Sequence, residues 1–324
     1  MMLIDKIKGT IFGGAIGDAL GTVVEEMDRE TVRRCYGGAV TGFVEPSVES
    51  VCSFLKKGQY SHETQIFLLA LEMYVEKKKL DEVCFIDKLI EWVDNEKEHR
   101  YPAGGHLNAA ISYKSGAEFN DARVRGVEVD GIIPSVASGL FRWDNSDEAY
   151  QEGTYLASLV YKDEVLIDAA GVLAVAVSSI AGERIFFETE DGKINFIELL
   201  ISFSQVDIVK EYLNQVISAL REDLEDMDEL ILRFGNGSFV LESLSLSLYI
   251  FLKWGKDFRK SLLRAVNSYG EFGGDTDAVG FLTGALSGCY NGIDAVSSEW
   301  IEKIENRNYL NLLSEKFFEK IENG

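Results

Sequence analysis

Apolar residues recur at three- and four-residue intervals through most of the chain and strict alternation is scarce, so the pattern predicts an all-α fold. The periodic segments place helices over roughly 5–20, 62–79, 81–95, 104–115, 146–161, 164–181, 195–203, 206–222, 238–253, 257–268, 277–291 and 298–306. The closing stretch EKFFEKIENG reads as a terminal amphipathic helix that packs Phe317, Phe318 and Ile321. Residues 183–194, ERIFFETEDGKI, alternate around an Asp-Gly turn in the manner of a small hairpin. No Ser/Gly/Pro-rich linker divides the chain, and the expectation is a single compact multi-helix domain over residues 1–324.

Two of these helices carry glycine at every fourth position: Gly9, Gly13, Gly17 and Gly21 in the first, Gly280, Gly284, Gly288 and Gly292 in the late one. Each glycine costs a helix about 1 kcal/mol relative to alanine. A four-residue period puts them on one face, which predicts close backbone contact with a neighbouring helix, including the possibility of contact between the two.

Acidic residues at the starts of helices are the candidate chemistry. In EFGGDTDAVG, Gly273 and Gly274 lead into Asp275 and Asp277 at the start of the late glycine helix. One aspartate there suits a helix N-terminus as a cap, whereas two of them beside a glycine-lined approach also suit a hard cation. A second helix start, YSHETQIFLLALE, offers Ser61 as N-cap with His62 and Glu63 in the first turn, ahead of an apolar stripe through Phe67, Leu68, Leu71, Met73 and Val75. Ordinary capping explains this start too. Side chains from the two starts are also able to meet around one or two cations. Asp18, inside the first glycine-apolar helix, calls for a buried partner. His106, in PAGGHLNAA, and His99 are weaker signals, with a structural role expected for His106.

Composition narrows the partners. Lys plus Arg is 32 against 54 for Asp plus Glu, a net charge of -22, and such a surface repels nucleic-acid backbones and anionic lipid. Neither nucleic acid nor membrane is therefore an expected partner. Four cysteines lie far apart without metal-type spacing, as reduced, mostly buried thiols would. The apolar N-terminal stretch is broken by Asp5, Lys6, Lys8 and Asp18, unlike a signal peptide or a membrane span, and the expected localisation is cytoplasmic.

Taken together and in order, GTIFGGAIGDALGTVVEE, SHETQIFLLALE and AVNSYGEFGGDTDAVGFLTGALSGCYNGIDAVSSEW resemble the ADP-ribosylglycohydrolases, an all-helical family. The resemblance runs from about Gly9 to about Ile304. It implies removal of ADP-ribose from a modified protein side chain or related conjugate, with two magnesium ions held between helix ends. Carried over by position, it implies Ser61, His62, Glu63, Asp275 and Asp277 as metal ligands, with Asp277 and Glu25 closest to the chemistry and Glu25 as base for the attacking water. It also implies substrate contacts at Asp18, Gly131, Gly273 and Gly274, with backbone amides around Gly235 and Gly237 of RFGNGS facing the diphosphate.

The departures from the family pattern fall on this chemistry. His62 and Glu63 stand where the family has aspartates, Ala278 replaces a hydroxyl residue, and DGIIPSVASGLF, residues 130–141, lacks the family's Gly-Asn-Gly turn and Met-Arg pair. Tyr161 stands where the family has a histidine. A neutral imidazole at His62 favours manganese or zinc over magnesium. Three readings follow: a hydrolase with an altered metal site, a metal-dependent hydrolase of another nucleotide conjugate, and a binding protein on the same scaffold. In the last case the protein is structural, or blocks an ADP-ribosyltransferase by contact and no longer needs the metal.

Overall fold

The computed structural model describes residues 1–95, 100, 104–184, 187 and 189–322. From the N-terminus the helices are α1 (Leu3–Gly21), α2 (Arg29–Tyr36), α3 (His62–Lys77), α4 (Glu82–Asp94), α5 (Gly104–Lys114) and α6 (Phe119–Ala122). Next come α7 (Ser135–Phe141), α8 (Ser146–Ser158), α9 (Glu164–Ala181), α10 (Glu190–Phe203), α11 (Asp207–Glu222) and α12 (Met227–Phe234). The chain ends with α13 (Val240–Trp254), α14 (Phe258–Ala265), α15 (Thr276–Asn291), α16 (Ser298–Lys303) and α17 (Arg307–Glu322). Short 3-10 turns lie over Thr22–Val24, Val129–Ile132 and Ile293–Ala295. Among the described residues no strand forms, and the chain is one all-α domain as its periodicity predicts.

The two glycine helices pack on each other, antiparallel, at the centre. A methyl group added to Gly9, Gly13 or Gly17 would lie 2.1, 2.2 or 2.0 Å from the carbonyl oxygen of Gly288, Gly284 or Gly280. Gly21 abuts Thr276 in the same way, at 2.1 Å, and the Thr276 hydroxyl donates to the Gly21 carbonyl at 2.9 Å. Backbones meet here without intervening side chains. Gly292 closes the stripe just past the end of α15, at φ 74°: its backbone still lies against Gly9, and a side chain on it would meet Met1.

The other helices wrap this pair. α9 is predominantly apolar and 83% buried within the fold, which makes it a core helix despite a composition that would suit a membrane span. α17 buries Phe317 completely, with Phe318 and Ile321 packed against the core, as expected of the terminal helix. The hairpin expected over 183–194 does not form. Thr189 caps α10 by accepting from the Gly192 amide, so the acidic run Glu190-Asp191 enters a helix first turn, where the dipole favours it. Residues 185, 186 and 188, like His99, lie outside the described residues.

Four helices went unpredicted: α2, α6, α7 and α12. They have 8, 4, 7 and 8 residues, too short for an apolar period to repeat. Gly17→Ala should force α1 and α15 apart and lower stability by about 1–3 kcal/mol, measured as a fall in the urea midpoint; an unchanged midpoint would contradict the close contact.

Candidate active site

Asp18 ties the second helix start to the glycine pair. It is fully buried in α1, and its carboxylate accepts from the amides of Ser61 at 2.8 Å and Thr64 at 3.0 Å, from the Thr64 hydroxyl at 2.6 Å and from the Thr22 hydroxyl at 2.9 Å. These bonds satisfy free amides at the positive end of α3. Burial raises its pKa despite them. Because the Asp18 carboxylate is taken up in this way and does not reach the cavity wall, its role is to hold α3, not to contact substrate.

Ser61 is the N-cap of α3, its hydroxyl accepting from the Glu63 amide at 3.3 Å, and it too lies off the cavity wall. Asp275 occupies the N-cap position of α15, yet its side chain makes no capping hydrogen bond.

A cavity of about 770 Å³ opens over the two helix starts. Glu25, His62, Glu63, Asp275, Gly273, Gly274 and Gly237 line it as expected, whereas Gly131 and Gly235 do not. Gly131 is packed against Leu166 and Tyr161, and Gly235 ends α12 at φ 82° against the Glu242 side chain. The Gly237 amide donates to Glu242 Oε2 at 2.9 Å, so it does not face a ligand phosphate.

The wall also holds residues that the sequence did not single out: Glu26, Glu128, Asp130, Glu242 and Phe272. Asp130 sits in the Val129–Ile132 turn, which is drawn beside RFGNGS by the Val129 amide on the Ser238 carbonyl and the Val240 amide on the Val127 carbonyl, both 2.8 Å. Its carboxylate meets His106 Nδ1 at 3.3 Å and accepts from the Tyr161 hydroxyl at 3.2 Å. The expected structural role of His106 is thus to hold Asp130. The one hint in the sequence was an aspartate inside the apolar run EVDGII.

The electrostatics separate these acids. Burial, then the charge of Asp275, raises Glu25 to about 8, although the Cys52 thiol donates to its Oε2 at 3.4 Å. Burial raises Asp275 to about 6. Glu63 is pushed well above the carboxylate range by burial and by Asp130, and Asp277 by burial and by Glu25. Burial also disfavours the charge of Asp130, but His106, His62 and Tyr161 outweigh it and hold that carboxyl below its usual value. Burial lowers His62 to about 4, leaving a neutral imidazole at pH 7.

These residues fit a divalent cation. Ligand atoms of His62, Glu63 and Asp277 all lie within 4.8 Å of one another, and Glu63 Oε2, Asp277 Oδ2 and Asp275 Oδ1 are buried without a hydrogen-bond partner. A neutral imidazole with carboxylates is a donor set for zinc or manganese more than for magnesium, and Ala278 adds no ligand. Clustered buried carboxylates cannot all ionise without such an ion.

Glu25 has an ordinary value of 4.5 and a folded value of about 8, so between these the folded protein keeps a proton that the unfolded chain has lost. Stability of the metal-free protein should therefore fall as pH rises from about 4.5 through about 8. Glu25→Gln should flatten that fall. A divalent ion should raise the melting temperature, and Asp277→Asn should remove that gain. Melting that ignores both pH and metal would contradict the arrangement.

The comparisons with known proteins agree with this geometry. A solved "ADP-ribosylglycohydrolase-related protein complex" superposes with a TM-score of 0.76 over 98% of this chain and 99% of that one, at 18% identity, a likeness of fold. An uncharacterised protein of Archaeoglobus fulgidus is 25% identical, covering 97% of this chain and 96% of its own. The ADP-ribosylarginine hydrolase Tri1 of Serratia proteamaculans is 23% identical, covering 97% and 79% respectively. For the ADP-ribosylhydrolase ARH3 of Bos taurus the identity is 22%, with 96% of this chain and 92% of the relative covered. The ADP-ribosylglycohydrolase family model matches residues 1–324, and the chain belongs to that family.

Proposed function

We propose that the protein is a metal-dependent hydrolase that releases ADP-ribose from an N- or O-glycosidic conjugate, such as a modified protein side chain. The observation that carries this reading is the convergence of His62, Glu63 and Asp277, with buried unpaired oxygens on both carboxyl side chains, below a cavity that Glu25 lines. A protein that acted only by surface contact would have no use for these buried, unpaired acids. The activities named for Tri1 and ARH3 support the same kind of substrate.

His62, Glu63 and Asp277 would hold the ion, with Asp275 beside them. When bound, a divalent ion supplies Lewis-acid stabilisation and orients sugar hydroxyls. Glu25 takes the proton from the water that adds to the anomeric carbon, and a carboxyl raised toward neutrality is suited to hold that proton and return it to the departing acceptor. The fold keeps Glu25 largely out of water, while Asp130, fixed by His106 and Tyr161, offers a charged acceptor to ligand hydroxyl or N–H groups. Four free thiols suit the cytoplasmic residence proposed with this reading.

The test is release of ADP-ribose from ADP-ribosylated peptides, N-linked through arginine or O-linked, by metal-stripped protein reloaded with manganese, zinc or magnesium. Wild-type protein should release it with manganese or zinc. Glu25→Gln should lower the turnover number by roughly 100- to 10,000-fold, the range for general acid–base catalysis, with ADP-ribose binding retained. No release with any metal, together with no binding of ADP-ribose, would overturn the proposal.

A further inference from the structure

Phe272 is an anomaly in the cavity wall. It is 93% exposed, so it contributes nothing to the core, yet it lines the cavity next to Gly273, Gly274 and Asp275. Its loop is held firmly. The Gly270 amide donates to the Gly273 carbonyl at 2.8 Å and the Arg29 amide to Gly270 at 3.3 Å. Asn236 Nδ2 bonds the Gly273 carbonyl at 2.7 Å, while the Glu26 amide meets Gly274 at 3.0 Å. Gly273 itself has φ 90°, and a side chain there would lie 2.6 Å from the Glu26 carbonyl oxygen. A short, pinned loop therefore presents an unpacked aromatic ring beside the acids.

The rest of the wall explains why such a ring matters. Among the described residues seven carboxylates line the cavity and no lysine or arginine does. A nucleoside diphosphate entering it meets repulsion wherever a bound cation does not screen it. Affinity must then come from contacts indifferent to that charge. Phe272 and Val129 are the apolar side chains of size in the lining, and the flat apolar part of an ADP-ribosyl ligand is its purine. Stacking on an aromatic ring is sequence-tolerant and independent of charge.

We propose that Phe272 is the platform on which the purine ring of the bound ligand stacks, and that it sets the preference of this cavity for a nucleotide over a bare sugar phosphate. The inference rests on the ADP-ribosyl reading of the site. It assigns Phe272 a binding role and no part in the bond cleavage.

The experiment is calorimetric titration of the metal-loaded full chain, wild type, Phe272→Ala and Phe272→Trp, with ADP-ribose, adenosine and, by competition, ribose 5-phosphate. Phe272→Ala should weaken ADP-ribose and adenosine by roughly 10-fold or more, leave ribose 5-phosphate and the melting temperature unchanged, and Phe272→Trp should restore binding. ADP-ribose binding that ignores Phe272→Ala, or an equal loss for ribose 5-phosphate, overturns this proposal and leaves the hydrolase reading standing. A wild-type protein that binds neither ADP-ribose nor adenosine overturns both.

Discussion

The backbone of α1 approaches that of α15 only because glycine leaves nothing between them, and this contact fixes where the acidic residues stand. With Gly17 against Gly280 and Gly21 against Thr276, the C-terminal end of α1 lies beside the N-terminal end of α15. Asp18, one position beyond Gly17, then reaches the amides of Ser61 and Thr64. A single helix thereby sets the positions of two others. The placement of Glu63, Asp275 and Asp277, and of the turn carrying Glu25, follows from that junction.

The junction concentrates charge where water is scarce. Removing one carboxylate from water costs several kcal/mol even after relaxation, against a total domain stability of about 5–15 kcal/mol. Glu63 and Asp277 cannot both be ionised and unpaired in such a protein. Either protons or a cation must offset them, and the neutral imidazole of His62 within reach is the form a metal ion requires. With histidine at position 62, the donor set keeps its geometry for a divalent cation and suits zinc or manganese more than magnesium.

Features written locally were legible in the sequence. The glycine period, the Ser61 cap, the Gly273-Gly274 approach and the pair Asp275 and Asp277 all lie within one helix turn of their causes, and each stands where the pattern placed it. Features that depend on distant segments meeting were not. Asp130 becomes a wall residue because residues 127–130 pair with the turn at Ser238, more than a hundred positions away, and its partners His106 and Tyr161 come from two further elements. Phe272 carries no local sequence signal that separates it from any other loop aromatic, because its exposure depends on how its loop is pinned. Conversely, the resemblance implies a substrate contact for Asp18, whereas its partners are the amides of Ser61 and Thr64 and the hydroxyls of Thr64 and Thr22, and those from α3 lie more than forty positions away in the chain.

The most direct measurement is a crystal structure with manganese soaked in and anomalous scattering recorded. The account predicts a peak bounded by His62, Glu63 and Asp277, with α1 and α15 still in glycine contact. No peak at that position in protein that otherwise shows this fold, or a manganese ion bound elsewhere and leaving His62 and Glu63 unengaged, would contradict it.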